Sequence, residues 1–122
     1  MQAGDGDCGE TVKRGSEAVL ALLDTLAFSD LGATAKRLAV TVGESMGGTS
    51  GALYQIFFAA AAVALKGVAA EAAGVEDWAS ALQSGVEAVR RYGLAGVGDR
   101  TMVDALEPAM HAVNAAVEAG AV

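Results

Sequence analysis

Apolar residues recur along this chain at three- and four-residue steps with polar residues between them, so the pattern reads as a succession of amphipathic helices. Val12, Val19, Leu20, Leu22, Leu23 and Leu26 follow a glycine-rich start and predict a helix over about residues 10–27. Leu31, Ala35, Leu38, Ala39, Val42 and Met46 continue the period as a second helix. Ser29 or Asp30 is available as its N-cap, and Gly47 and Gly48 as its stop. Ser50 to about Ala72 is alanine-rich and apolar around most of its circumference, which places a third helix in the middle of a bundle, with Gly67 as a weak point. Its run Ala59 to Ala62 permits close helix packing. Trp78, Leu82, Gly85, Val86 and Val89 mark a fourth helix, with Trp78 as an anchor in the core. It follows Glu76 and Asp77, whose carboxylates suit the positive end of a helix dipole, and it stops at Gly93. Gly93, Gly96 and Gly98 punctuate the next loop. Asp99 or Thr101 then caps a fifth helix in which Thr101 and Asp104 stand at capping-box spacing, and Pro108 is expected to kink it. Sustained alternation of β-branched and polar residues is missing throughout, so the class is all-α.

Length and charge narrow the picture. A chain of 122 residues supports one domain, read as a single unit over residues 1–122. With 53% hydrophobic and 19% charged residues, it has enough apolar surface to offset the entropy of ordering. A net charge of −7 repels nucleic acid and anionic membrane surfaces, so neither is expected as a partner. The single cysteine, Cys8, cannot form an internal disulfide, which makes the cytoplasm the expected location. The apolar run from Ala52 to Leu65 is about 14 residues, where a membrane span needs ~20. A glycine-rich acidic loop at the start, with no element before it, suggests a piece of a longer protein.

The loops carry the chemistry. Gly4-Asp5-Gly6-Asp7-Cys8-Gly9 matches the dinucleotide pattern G-x-G-x-x-G in form only, because no strand precedes it and two carboxylates stand where pyrophosphate would lie. Two hard oxygen ligands at i and i+2 instead suit magnesium, which bridges to phosphate oxygens; the alternative is an acidic turn that caps the first helix. Gly47-Gly48-Thr49-Ser50-Gly51 leads into the apolar helix, where free backbone N–H groups and two hydroxyls offer an anion site, or where Ser50 serves as a simple cap. The third loop, Tyr92 to Met102, places Asp99, Arg100 and Thr101 at another helix start. Met102 there can lie against a flat apolar ring, or in the core.

Taken together, GDGDCG at Gly4 to Gly9, MGGTSGALY at Met46 to Tyr54 and YG…GDRTM at Tyr92 to Met102 resemble the hallmarks of the nucleotide-binding L domain of dihydroxyacetone kinases. The resemblance covers most of the chain, with the three motifs in order. It implies an antiparallel barrel or bundle of amphipathic helices with ATP and two magnesium ions at one mouth, of which about five helices of an eight-helix domain are present. It further implies that Asp5 and Asp7 ligate the metals and that Asp5, Gly6, Asp7 and Cys8 line the phosphate site. Thr49 and Ser50 would bind phosphate oxygens, and Gly93, Thr101 and Met102 would lie around the nucleotide. A third metal-binding aspartate, five residues before Asp5, and a later GRASY-like segment with a phosphate-binding arginine do not occur in these residues.

Under this resemblance the partner is a separate substrate-holding (K-type) domain of the same kinase, which presents a triose such as dihydroxyacetone or glyceraldehyde. A homodimer is expected through apolar faces left uncovered. The alternatives are an ADP-carrying subunit rephosphorylated by a partner protein, whose acidic loop typically has histidine where Cys8 stands, and a non-enzymatic helical interaction module. His111, the single histidine, lies one turn after Glu107 with no second histidine near, and reads as solvated or core. Cys8 has no base close in sequence, so its backbone is the expected contribution.

Overall fold

In the computed structural model, which describes residues 6–122, the chain forms five α-helices: α1 (Cys8–Leu20), α2 (Leu31–Met46), α3 (Gly48–Ala64), α4 (Val75–Gly93) and α5 (Val103–Glu118). Single 3-10 turns at Leu23–Thr25 and Ala70–Ala72 interrupt the connections after α1 and α3. The all-α class holds, with no strand among the described residues beyond an isolated bridge between Asp30 and Ala69. None of the described helices is long and apolar enough to cross a membrane.

Two helix ends differ from the periodicity. The predicted first helix stops at Leu20, and Leu22 to Leu26 fall in and around the 3-10 turn. The third helix stops at Ala64 rather than near Ala72, and Gly67, in the turn that follows, takes a left-handed φ of 78°. The chain is then held by Leu31 N–H donating to Val68 O (3.3 Å) and Ala70 N–H donating to Ser29 O (3.0 Å). The other boundaries follow local chemistry. Asp30 caps α2 by accepting from Ala33 N–H at 2.9 Å, and Asp77 accepts from Gly74 N–H at 2.9 Å at the start of α4. Pro108 sits inside α5 without dividing it.

Substantial packing joins helices that are neighbours in the chain, and α3 lies between α2 and α4 as its apolar circumference requires. Successive helices run antiparallel. For α4 and α5 the register is given by Arg90 against Glu107 (3.1 Å) and by Asn114 Nδ2 donating to Gln83 Oε1 (3.1 Å). Small side chains dominate the interior: Ala35, Ala61 and Ala81 surround Leu65, while Val86, Val89 and Val103 are the largest fully buried groups. Trp78 is not a core anchor, being 53% exposed. It lines an apolar cleft of about 410 Å³ with Phe28, Leu38, Phe57 and Leu82, beside the alanines around Leu65.

Close approach at one glycine sets the spacing of α3 and α4. A Cβ at Gly85 would lie 2.6 Å from two carbons of the Phe57 ring. Overpacking of this kind costs about 1–3 kcal/mol, against a gain of ~1 kcal/mol in helix propensity. Gly85→Ala is therefore expected to lower the melting temperature by a few degrees. Gly9→Ala, in α1 with open space around the new Cβ, is expected to leave it unchanged or raise it. Thermal denaturation of both variants checks the pair, and a stabilised Gly85→Ala would show that Phe57 yields freely.

Candidate nucleotide-binding site

Antiparallel order brings the three glycine-rich loops to one end of the molecule. Met46, the last residue of α2, packs against Gly15 of α1, where an added Cβ would meet Met46 Cγ at 2.5 Å, and against Gly51 of α3. From Gly15 the helix runs seven residues back to Cys8, roughly 10 Å, so the start of α1 projects past the turn between α2 and α3. Gly93, the last residue of α4, lies beside Leu53 of α3, with 3.3 Å between its Cβ position and Leu53 Cδ2. The connection from Gly93 to Val103 therefore closes the same end.

The N-termini of α1, α3 and α5 thus lie at the same end, and each carries partial positive charge on its unpaired N–H groups. The two C-termini between them are offset by arginines. Arg14 Nη2 donates to Met46 O at 3.0 Å and Arg14 Nε to Ser45 O at 3.4 Å, while Arg90 and Arg91 occupy the last turn of α4. Each of these helix starts taken by itself suits an anion, in a chain that is acidic overall.

The start of α3 is the most open part of the site. Gly47 and Gly48 hold left-handed φ values of 70° and 57°, which a side chain would disfavour, and nothing lies within 4 Å of either Cβ position. The first N–H taken by a backbone acceptor at this helix start is that of Gly51, which donates to Gly47 O at 3.0 Å. The amides of Gly48, Thr49 and Ser50 precede it and have no helical carbonyl to meet. Ser50 is not the cap: Gly47 holds that position and no side chain caps the helix. Thr49 is exposed and Ser50 half-buried.

At the first loop, Asp7 stands at the N-cap of α1 without a side-chain cap bond, and its carbonyl accepts from Thr11 N–H at 2.9 Å. Gly6 is left-handed at φ 78°, and Cys8 is exposed. Asp5 lies outside the described residues. Among the described residues no group of three His, Cys, Asp or Glu could hold a metal ion between them. Magnesium does not require such a cage, since it is bound through one or two carboxylates together with substrate phosphates and water. Asp7, at the start of α1, is one hard carboxylate of the kind such a metal uses.

The third loop is built differently from its sequence pattern. The N-cap of α5 is Met102, half-buried, rather than Asp99 or Thr101, and it makes no side-chain cap bond. Asp99 Oδ2 accepts from Gly96 N–H at 2.8 Å and Thr101 Oγ1 from Val103 N–H at 3.2 Å. Asp104 does not reach back to Thr101 N–H as a capping box would; it accepts from Gly98 N–H and, at 2.9 Å, from Arg100 N–H. Arg100 is left-handed at φ 60°, a conformation costing roughly 1–2 kcal/mol for a residue with a Cβ. Gly93 and Thr101 are exposed. Sequence reasoning missed the parts played by Arg14 and Asp104. For Arg14, a helix without a basic residue in its last turn was the available signal.

The remaining candidates lie apart from this end's open donors. His111 is exposed, with Nε2 3.6 Å from Glu107 Oε1, the oxygen that Arg90 also approaches.

The family model described as the DAK2 domain matches residues 2–122. The chain is 43% identical over 112 residues to a dihydroxyacetone kinase of Pichia angusta, covering 87% of this chain and 18% of that protein. It is 41% identical over 105 residues to a triokinase/FMN cyclase of Mus musculus, covering 85% of this chain and 18% of that protein. A triokinase/FMN cyclase of Rattus norvegicus is 39% identical over 120 residues, covering 98% of this chain and 20% of its own length. The chain thus spans about a fifth of the length of the curated relatives it matches.

Proposed function

We propose, from the premise that this chain belongs to the DAK2 domain family, that it is the ATP-binding domain of a dihydroxyacetone or triose kinase. The observation that carries this reading is the start of α3. Three N–H groups without helical acceptors, two adjacent hydroxyls and two left-handed glycines with open space stand there, at the end that also holds the starts of α1 and α5. Thr49 and Ser50 would donate to phosphate oxygens there, with Gly6, Asp7 and Cys8 along one side and Gly93, Thr101 and Met102 along the other. Asp5 and Asp7 would hold magnesium, which when bound neutralises charge on the phosphates. Phosphoryl transfer asks a protein chiefly for position and charge neutralisation, and the residues present are of that kind. The triose, dihydroxyacetone or glyceraldehyde, would be presented by a separate substrate-holding domain, and the reaction would run in the cytoplasm.

Replacing Thr49 and Ser50 together by alanine tests this reading. Loss of two hydroxyl donors to a charged acceptor is expected to weaken ATP binding by about 1–3 kcal/mol, roughly 5- to 150-fold, with helical circular dichroism unchanged. Calorimetric titration supplies the affinity. Unchanged affinity with a loss of helix would make the pair structural, and absence of nucleotide binding by the unaltered chain would leave the interaction module as the better account.

A further inference from the structure

Two non-glycine residues hold left-handed backbone among the described residues, and both lie in the connection from α4 to α5. Leu94 has an ordinary reason, since it is the C-cap of α4 and its N–H donates to Arg90 O at 3.0 Å. Arg100 ends no helix. A strained residue persists only where its surroundings over-determine it, and such residues collect at ligand sites. Here the determinant is Asp104. One carboxylate oxygen accepts from Gly98 N–H and the other from Arg100 N–H, so both are engaged on either side of Asp99. Asp104 is itself half-buried and fixed by its place in the first turn of α5. A carboxylate there serves the helix dipole without any bond to the loop, yet this one spends both oxygens on loop amides. Thr101 and Met102 are the two residues between Arg100 and α5, so the turn taken at Arg100 decides where they stand.

We infer that Asp104 is a positioning residue for the nucleotide: it touches no ligand, and it holds the backbone from Gly98 to Met102 in the shape that presents Thr101 and Met102. The inference rests on the nucleotide reading above. Asp77 provides a matched control, because its carboxylate accepts one loop N–H, from Gly74, at the opposite end of α4.

The test titrates magnesium-ATP into the unaltered chain and into Asp104→Ala, Asp104→Asn and Asp77→Ala, with melting temperature and amide hydrogen exchange measured on each. Asp104→Ala is expected to weaken binding about 10- to 100-fold while the helices melt close to the original temperature, through loss of two hydrogen bonds to a charged acceptor. Asp104→Asn keeps one acceptor oxygen and is expected to fall between; it carries the test if the alanine variant does not fold. Exchange at Gly98 and Arg100 should quicken in both, with no nucleotide present. Asp77→Ala should keep its affinity. Wild-type affinity in both Asp104 variants overturns the inference alone, as does a loss of affinity with exchange at Gly98 and Arg100 unchanged, which would make Asp104 a direct contact. No binding by the unaltered chain overturns the nucleotide reading, and the inference with it.

Discussion

Without magnesium, the chain is expected to bind ATP at least about a hundredfold more weakly than with it, a difference of ~2.7 kcal/mol. The reason lies in the sign of the charges. In the proposed site Asp5 and Asp7 would add two carboxylates to features, the amides at the start of α3 among them, that favour an anion. Two like charges 4 Å apart repel by ~1 kcal/mol in bulk water and ~4 kcal/mol near a protein surface, and a triphosphate presents several. A divalent ion between them turns each repulsion into an attraction. Titration by calorimetry in magnesium and in a chelator measures the difference directly. Equal affinity in the two would remove the metal bridge and leave the amides and hydroxyls as the whole of the phosphate site. Replacing Asp7 by asparagine should reduce the dependence on magnesium in the same experiment.

The second large effect concerns turnover. These 122 residues alone are expected to phosphorylate dihydroxyacetone at no measurable rate, even where they fold and bind ATP. The chain spans about a fifth of relatives that are named as kinases, and under the proposed function the triose would be held by a separate domain. Holding two reactants in line is worth effective molarities of ~10⁵–10⁸ M. The phosphate-binding arginine of the GRASY-like segment does not occur in this sequence either, and an arginine in that role contributes about 10³–10⁵ in rate in other phosphoryl-transfer enzymes. A coupled assay for ADP release, with and without dihydroxyacetone, checks the expectation on protein whose ATP binding has been verified. Substantial dihydroxyacetone-dependent ADP release by the isolated chain would mean that its own residues complete the site. Arg91 and Arg100 would then be the first to replace, as exposed cations at this end.

Much of this protein is legible one turn at a time. α2 begins after Asp30 and ends at Gly47 because a carboxylate at an N-cap and a glycine free to turn left-handed act within three or four residues of themselves. The stop of α4 at Gly93, the central place of the apolar α3 and the three glycine-rich loops follow from equally local rules, and the order of the loops carried the family resemblance. Tertiary structure decided the rest. α3 ends at Ala64 where its chain meets α2: a Cβ at Gly32 would come within 3.0 Å of Leu65 O, and the bridge from Asp30 to Ala69 draws the following residues away from the helix axis. Trp78 repeats at helical spacing like a core residue, yet it lies in an open cleft beside the alanines around Leu65, a placement set by how α2, α3 and α4 pack. Arg14 reaches Met46 O across 32 positions, so no window of sequence shows that it supports the turn before Thr49 and Ser50. Asp104 stands at capping-box distance from Thr101 and bonds elsewhere, because the left-handed turn at Arg100 presents the amides of Gly98 and Arg100 to its carboxylate. Helix starts and stops are set by groups a few residues apart, which any copy of the sequence carries. The shape of the candidate site depends on contacts between distant residues, and those exist only once the helices have packed.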